Sequence, residues 1–149
     1  MTQKTPVLGG GPIGLTLASR LAAQNQPVAV VDEESTASRA REAGLIAHEP
    51  TPETATLSVD RPASTVVVAT ASDVRNPLLA AAAPRAFDAD RTFTLVNDPD
   101  KQTAFDDAGI ETVCVSKAVA QVTTDSVAVE ESTPADRAAD TGGRVRLSE

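Results

Sequence analysis

Gly9, Gly11 and Gly14 stand at G-x-G-x-x-G spacing within Val7-Leu8-Gly9-Gly10-Gly11-Pro12-Ile13-Gly14. A short apolar run enters the glycines and a helix-periodic segment leaves them, the arrangement with which a backbone turn wraps a diphosphate. The first glycine allows the tight turn, the second lets the main chain approach the pyrophosphate, and the third lets the helix pack on the strand. The helix start around Pro12 and Ile13 then faces the anion, with the helix dipole behind it. Alone, the pattern has little specificity. Asp32 raises it: this residue closes the next apolar run, 18 positions after Gly14, near the spacing of about 20 at which a ribose-binding acid follows such a loop. A carboxylate there accepts hydrogen bonds from adenosine ribose hydroxyls and, with Glu33 beside it, repels a 2′-phosphate. NAD(H), or an adenine nucleotide such as ATP, ADP or AMP, is therefore favoured over NADP(H). The competing reading of Asp32 is a solvated acid at a strand end.

Other polar residues carry a weaker signal. Thr70-Ala71-Ser72-Asp73 follows an apolar run, and small hydroxyl residues there can approach the phosphates or the second ribose. Asp73 serves equally well as a turn or cap residue, and Asn97 before Asp98-Pro99 is both cleft-facing and a common turn signal. His48 is the sole histidine and has no identifiable catalytic partner, so a loop or surface role is the better account. Arg39 and Arg41 follow Asp32 closely and can reach an adenosine phosphate, although helix-surface arginines usually face water. Cys114 lies in an apolar run and fits a buried small hydrophobe. No set of residues has metal-ligand spacing, and no catalytic residue is assigned.

The elements that must hold these residues alternate in type. Strands are predicted at Pro6 to Gly9, Val28 to Val31, Leu45 to Ala47, Thr65 to Ala69, Thr92 to Val96 and Thr112 to Val115. The continuous β-branched runs mark strands buried on both faces. Between them, helices are expected from Pro12 to the Asn25-Gln26-Pro27 stop, and from a Ser35 or Thr36 cap to Gly44. A third helix starts with Asn76 as cap and runs to Phe87, interrupted or kinked at Pro84. A fourth spans Asp100 to Ala108 behind an Asp98-Pro99 cap, and a last runs from Lys117 to roughly Val122 behind Ser116. Thr51 to Val59 has room for one or two helical turns. Such alternation implies an α/β, Rossmann-like doubly wound parallel sheet of six strands in the order 3-2-1-4-5-6. The ligand would lie beyond the carboxyl ends of the strands, where the order reverses between the first and fourth. One domain is expected over residues 1–125, followed by an acidic, disordered tail over 126–149.

Composition narrows the partners. A formal charge of −8 argues against electrostatic binding to nucleic acid or an anionic membrane. Lys occurs only at Lys4, Lys101 and Lys117 amid abundant acids and small residues, which suits a salt-in halophile or an ordinary acidic bacterial protein. One cysteine allows no intramolecular disulfide, no apolar run approaches the roughly 18 residues of a membrane span, and Met1 to Pro6 lacks a signal-peptide layout. A soluble cytoplasmic protein is expected, with no membrane insertion.

The order of landmarks resembles the TrkA-N, or RCK N-lobe, domains that regulate potassium transport. The resemblance rests on the glycine loop with Asp32, on VVVATASDVRN (Val66 to Asn76), on VNDPDKQTAFDDAGI (Val96 to Ile110) and on ETVCVSKAVA (Glu111 to Ala120). It implies that Gly9, Gly11 and Gly14 receive the diphosphate, that Asp32 binds the adenosine ribose, and that Thr70 and Ala71 line the floor. Where the family usually has Gly-Asp-Ala-Thr after the third strand, this chain has His48-Glu49-Pro50-Thr51, with Glu49 standing in for the acid that contacts adenine. Family members commonly add a C-terminal ligand-sensing lobe; here an acidic tail follows. A homodimer that acts on a membrane potassium transporter or channel subunit is implied. Two rival readings stay open: a small NAD- or flavin-dependent oxidoreductase (or one component of it), and a degenerate scaffold that has lost its ligand.

Overall fold

The computed structural model describes residues 4–50 and 64–130. The helical turns expected between Thr51 and Val59 and the tail beyond residue 130 lie outside the described residues.

Six strands form one parallel sheet: β1 (Thr5–Leu8), β2 (Val28–Val31), β3 (Ile46–His48), β4 (Thr65–Val68), β5 (Arg91–Val96) and β6 (Glu111–Cys114), in the order β3-β2-β1-β4-β5-β6. This is the predicted topology. β1 pairs with β2 on one side, Leu8 opposite Val31, and with β4 on the other, Leu8 opposite Val68. The chain therefore reverses its direction of winding at β1, and the carboxyl ends of β1 and β4 flank a crevice.

Helices cover both faces, which is why β1 and β2 are buried along their whole length and carry no polar alternation. On one face α1 (Pro12–Ala23) and α2 (Glu34–Glu42) bury Ala18, Ala37 and Ala40 against Val7, Val30 and Val67. The small alanines let the helices approach the β-branched sheet closely. On the other face α3 (Arg75–Phe87) packs Ala80, Ala83 and Phe87 against Leu8, Val31, Val66 and Val68. Full burial of a side chain such as Phe87 contributes roughly 2–3 kcal/mol. A 3-10 turn (Pro99–Lys101), α4 (Gln102–Asp107) and the 16-residue α5 (Val115–Glu130) complete the order.

Several expected caps take other roles. Ser35 and Thr36 lie inside the first turn of α2, which Glu33 precedes without a side-chain cap bond. Ser116 also lies inside its helix and donates from Oγ to the Asn97 carbonyl, 2.7 Å away. Asn76 sits within α3, not ahead of it, while the Ser72 hydroxyl accepts from the Arg75 amide at 3.0 Å. Asp98 does cap, accepting from the Asp100 amide at 2.9 Å. Helix α3 runs through Pro84 without the expected restart and ends three residues later at Phe87; the proline has no N–H to donate to the carbonyl four residues earlier, so one helical bond is given up near the helix end. Helix α5 passes the end expected near Val122, so the 125/126 boundary falls inside it. Among the described residues no helix is long and apolar enough to cross a membrane.

Candidate functional site

The glycine loop connects β1 to α1 at the reversal point. Gly11 has φ +52, and a Cβ built on it would meet no atom of the described residues within 4 Å beyond its chain neighbours, so its side faces open space. Gly14 is the opposite case: a Cβ there would overlap the Gly9 carbonyl oxygen. Helix α1 thus leans on the turn as closely as a glycine allows.

Asp32 ties the loop to β2. Its Oδ2 accepts from the Gly11 amide at 2.9 Å and its Oδ1 from the Glu33 amide at 2.7 Å, while its own amide donates to the His48 carbonyl at 3.1 Å. An ionised carboxylate has about four acceptor positions, so each oxygen keeps lone-pair capacity for a ligand hydroxyl.

Across the crevice Thr70 is held by a network that sequence spacing did not show. The Thr70 hydroxyl donates to Asn76 Oδ1 and accepts from the Ser72 amide at 3.1 Å. Asn76, fully buried, donates from Nδ2 to the carbonyls of Thr70 and Leu95, each at 2.9 Å. Asn97 donates from Nδ2 to the Thr70 carbonyl at 3.3 Å and to Asp73 Oδ1 at 3.1 Å. Asp73 also accepts from the amides of Asn97 and Asp98, both at 2.8 Å. Burial pushes the Asp73 carboxyl up, but the bonds from the Asn97 and Asp98 amides and the Asn97 side chain, with the nearby Lys101 charge, outweigh it and hold it below its ordinary value. Asp73 and Asn97 thus brace the β4 and β5 ends; neither lines the cavity described next.

Between these two walls lies a cavity of about 440 Å³, lined by Leu8, Gly9, Gly10, Val31, Asp32, Glu33, Pro50, Thr70, Arg75 and Leu79. The volume falls in the range of about 300–1,000 Å³ typical of small-molecule sites. Of the residues singled out from sequence, Gly9, Asp32, Glu33 and Thr70 meet on its wall. Gly11, Pro12, Ile13, Gly14 and Ala71 do not: Ile13 is half exposed at the start of α1, Gly14 packs on Gly9, and Ala71 is exposed beside Thr70. Glu49 also stays outside. It points along the β3 edge toward Arg41, with Arg41 Nη1 to Glu49 Oε2 at 4.0 Å, and its neighbour Pro50 takes the wall position. Arg41 donates from Nη2 to the Ala47 carbonyl at 3.0 Å, so it braces β3, and Arg39 does not line the cavity either. His48 ends β3, and Cys114 is buried at the end of β6. Arg75 and Leu79 were missed. The available signal was position, since both fall in the opening turns of the helix that follows the reversal strand β4.

A doubly wound parallel sheet with a glycine turn at its reversal point, an acid closing β2 and a cavity beside both defines a Rossmann-like domain of the nucleotide-binding type. The chain belongs to the TrkA-N domain family, which matches residues 6–116. Among solved structures it is similar to the NAD(P)-binding domain of an exopolyphosphatase-related protein from Archaeoglobus fulgidus. The TM-score is 0.71 at 24% identity, over 84% of this chain and 98% of that one. It is also similar to the TrkA-N domain of the inner membrane protein ybaL from Escherichia coli, with TM-score 0.68 at 14% identity, over 84% of this chain and 96% of that one. At these identities the likeness is one of fold. No curated protein matches the chain in sequence.

Proposed function

We propose that this is a non-catalytic regulatory domain that binds NAD(H) or an adenine nucleotide and, from the cytoplasm, controls potassium transport as a homodimer. The observation that carries the reading is Asp32: it grips the glycine loop through the Gly11 amide while forming part of the cavity wall. The adenosine ribose would donate its hydroxyls to the remaining lone pairs of this carboxylate, and the diphosphate would lie over the open side of Gly11 at the α1 N-terminus. Two adjacent acids, Asp32 and Glu33, line the same wall and oppose a 2′-phosphate, which favours NAD(H) over NADP(H). That ybaL is an inner membrane protein carrying a TrkA-N domain supports a role beside a membrane protein.

Regulation requires that ligand binding favour one conformation over another. A physical link exists from the cavity to α5: Thr70 on the wall is bonded to Asn97, whose carbonyl accepts from Ser116 in the first turn of that helix. Ligand contact at Thr70 would bias this ladder and, through it, the helix.

Thermal melting of the protein in molar KCl with NADH, NAD, ATP, ADP or AMP tests the proposal. A nucleotide at 100 times its Kd should stabilise by about 2.7 kcal/mol. No shift with any of them refutes nucleotide sensing in this cavity, and steady oxidation of NADH with a simple acceptor would favour an oxidoreductase instead.

A further inference from the structure

Resting on nucleotide binding in this cavity, we propose that Arg75 is a ligand-contact residue, its guanidinium covering the purine base. Arg75 stands in the first turn of α3 and lines the cavity with Leu79, one turn further along the same helix. Its backbone is fixed: its amide is bonded to the Ser72 hydroxyl, and the next residue, Asn76, is pinned between β4 and β5. Its guanidinium has no hydrogen bond or ion pair among the described residues. Neither Asp32 nor Glu33 takes it, and Arg75 is the one cation among the described residues that line the cavity.

The surroundings select what this group meets. The chain holds three Phe and no Trp or Tyr, and Phe87, Phe93 and Phe105 are all absent from the lining. Among the described residues, a base in this cavity finds aliphatic walls, Leu8, Val31, Pro50 and Leu79, and one planar cation. A guanidinium stacks on an aromatic face and is weakly hydrated, so it does so at low desolvation cost. Phosphates belong on the other side. The glycine loop opens into α1, which packs on the sheet face opposite α3, since α1 rests on Val7 and Val30 and α3 on Leu8 and Val31. Gly9 and Gly10 of the turn share the cavity wall with Arg75, but Arg75 belongs to the helix of the opposite sheet face and stands beside Leu79, with the aliphatic part of the lining.

Calorimetric titration of the full chain with adenosine, AMP and ADP tests this, comparing the wild type with Arg75→Gln, Arg75→Lys and Asp32→Ala. Arg75→Gln should weaken all three ligands by the same factor, about three- to thirtyfold. Lysine should recover only part, because it lacks the plane. A loss that grows with phosphate number, or is restored in full by lysine, overturns the base contact and assigns the cation to phosphate. Unchanged binding in Arg75→Gln, with binding lost in Asp32→Ala, overturns the role of Arg75 and leaves the site standing. If the wild type binds none of the three, this inference falls, whereas the site itself falls only if NADH, NAD and ATP fail to bind as well.

Discussion

Asn76 is the residue on which the cavity wall depends, and its replacement separates two accounts of it. As a helix N-cap, Asn76 would tolerate Asp, which caps about as well as Asn, and would lose about 1 kcal/mol on change to Ala. The structure instead buries Asn76 completely, with Nδ2 donating to the Thr70 and Leu95 carbonyls and Oδ1 accepting from the Thr70 hydroxyl. Three bonds at about 0.5–1.5 kcal/mol each give a loss of about 2–4 kcal/mol for Asn76→Ala. Asp is expected to be no better. It has no donor when ionised, so two carbonyl oxygens would face a buried carboxylate, and the loss should equal or exceed that of Ala. Urea denaturation at neutral pH measures both, with unchanged m-values showing that the folded form is otherwise intact. A loss below about 0.5 kcal/mol for Asn76→Asp would refute the buried-pin account and restore the cap.

Three further outcomes follow from single contacts. Gly14→Ala places a Cβ on the Gly9 carbonyl oxygen, so loop and helix must part; a stability loss of at least about 1–3 kcal/mol and loss of any nucleotide-induced thermal shift are expected. Thr94 is fully buried on β5 between Val68 and Thr112, and its hydroxyl has no hydrogen-bond partner among the described residues; Thr94→Val should therefore raise the urea midpoint, by about 1 kcal/mol in stability. Asp73 is held below its ordinary carboxylate value, so its contribution is complete above the unfolded-state pKa of about 3.9. That contribution disappears as pH falls through this value and on through the lower folded one. Asp73→Asn should be less stable at pH 7 and lose less on acidification below pH 4, as urea midpoints at several pH values would show.

Much of the fold was legible because the determinants are local. Val28 to Val31 and Thr65 to Val68 are unbroken β-branched runs, Pro12 and Pro27 bracket α1, and Gly44 and Gly109 follow the ends of α2 and α4. Alternating elements plus the glycine turn then fix the sheet order. Asp32 was legible for the same reason, since it closes a strand at a characteristic distance from the turn. What could not be read depends on partners distant in sequence. Asn-Pro looks like a helix start, and only the Leu95 carbonyl, 19 residues away, makes Asn76 a core residue. Glu49 was placed at the ligand by position, yet Arg41 draws it along the sheet edge. Arg75 is an ordinary surface arginine in sequence; the packing of α3 on Leu8 and Val31 brings its first turn to the cavity.

The central claim is that Asp32 and the glycine turn together hold a nucleotide carrying a free 2′-hydroxyl. Equilibrium titration of the wild type and Asp32→Ala with NADH and NADPH tests it most directly. The wild type should bind NADH and prefer it to NADPH at least tenfold, which corresponds to about 1.4 kcal/mol, and Asp32→Ala should lose that binding. Equal affinity of the wild type for both, or NADH binding that survives Asp32→Ala, would contradict the account.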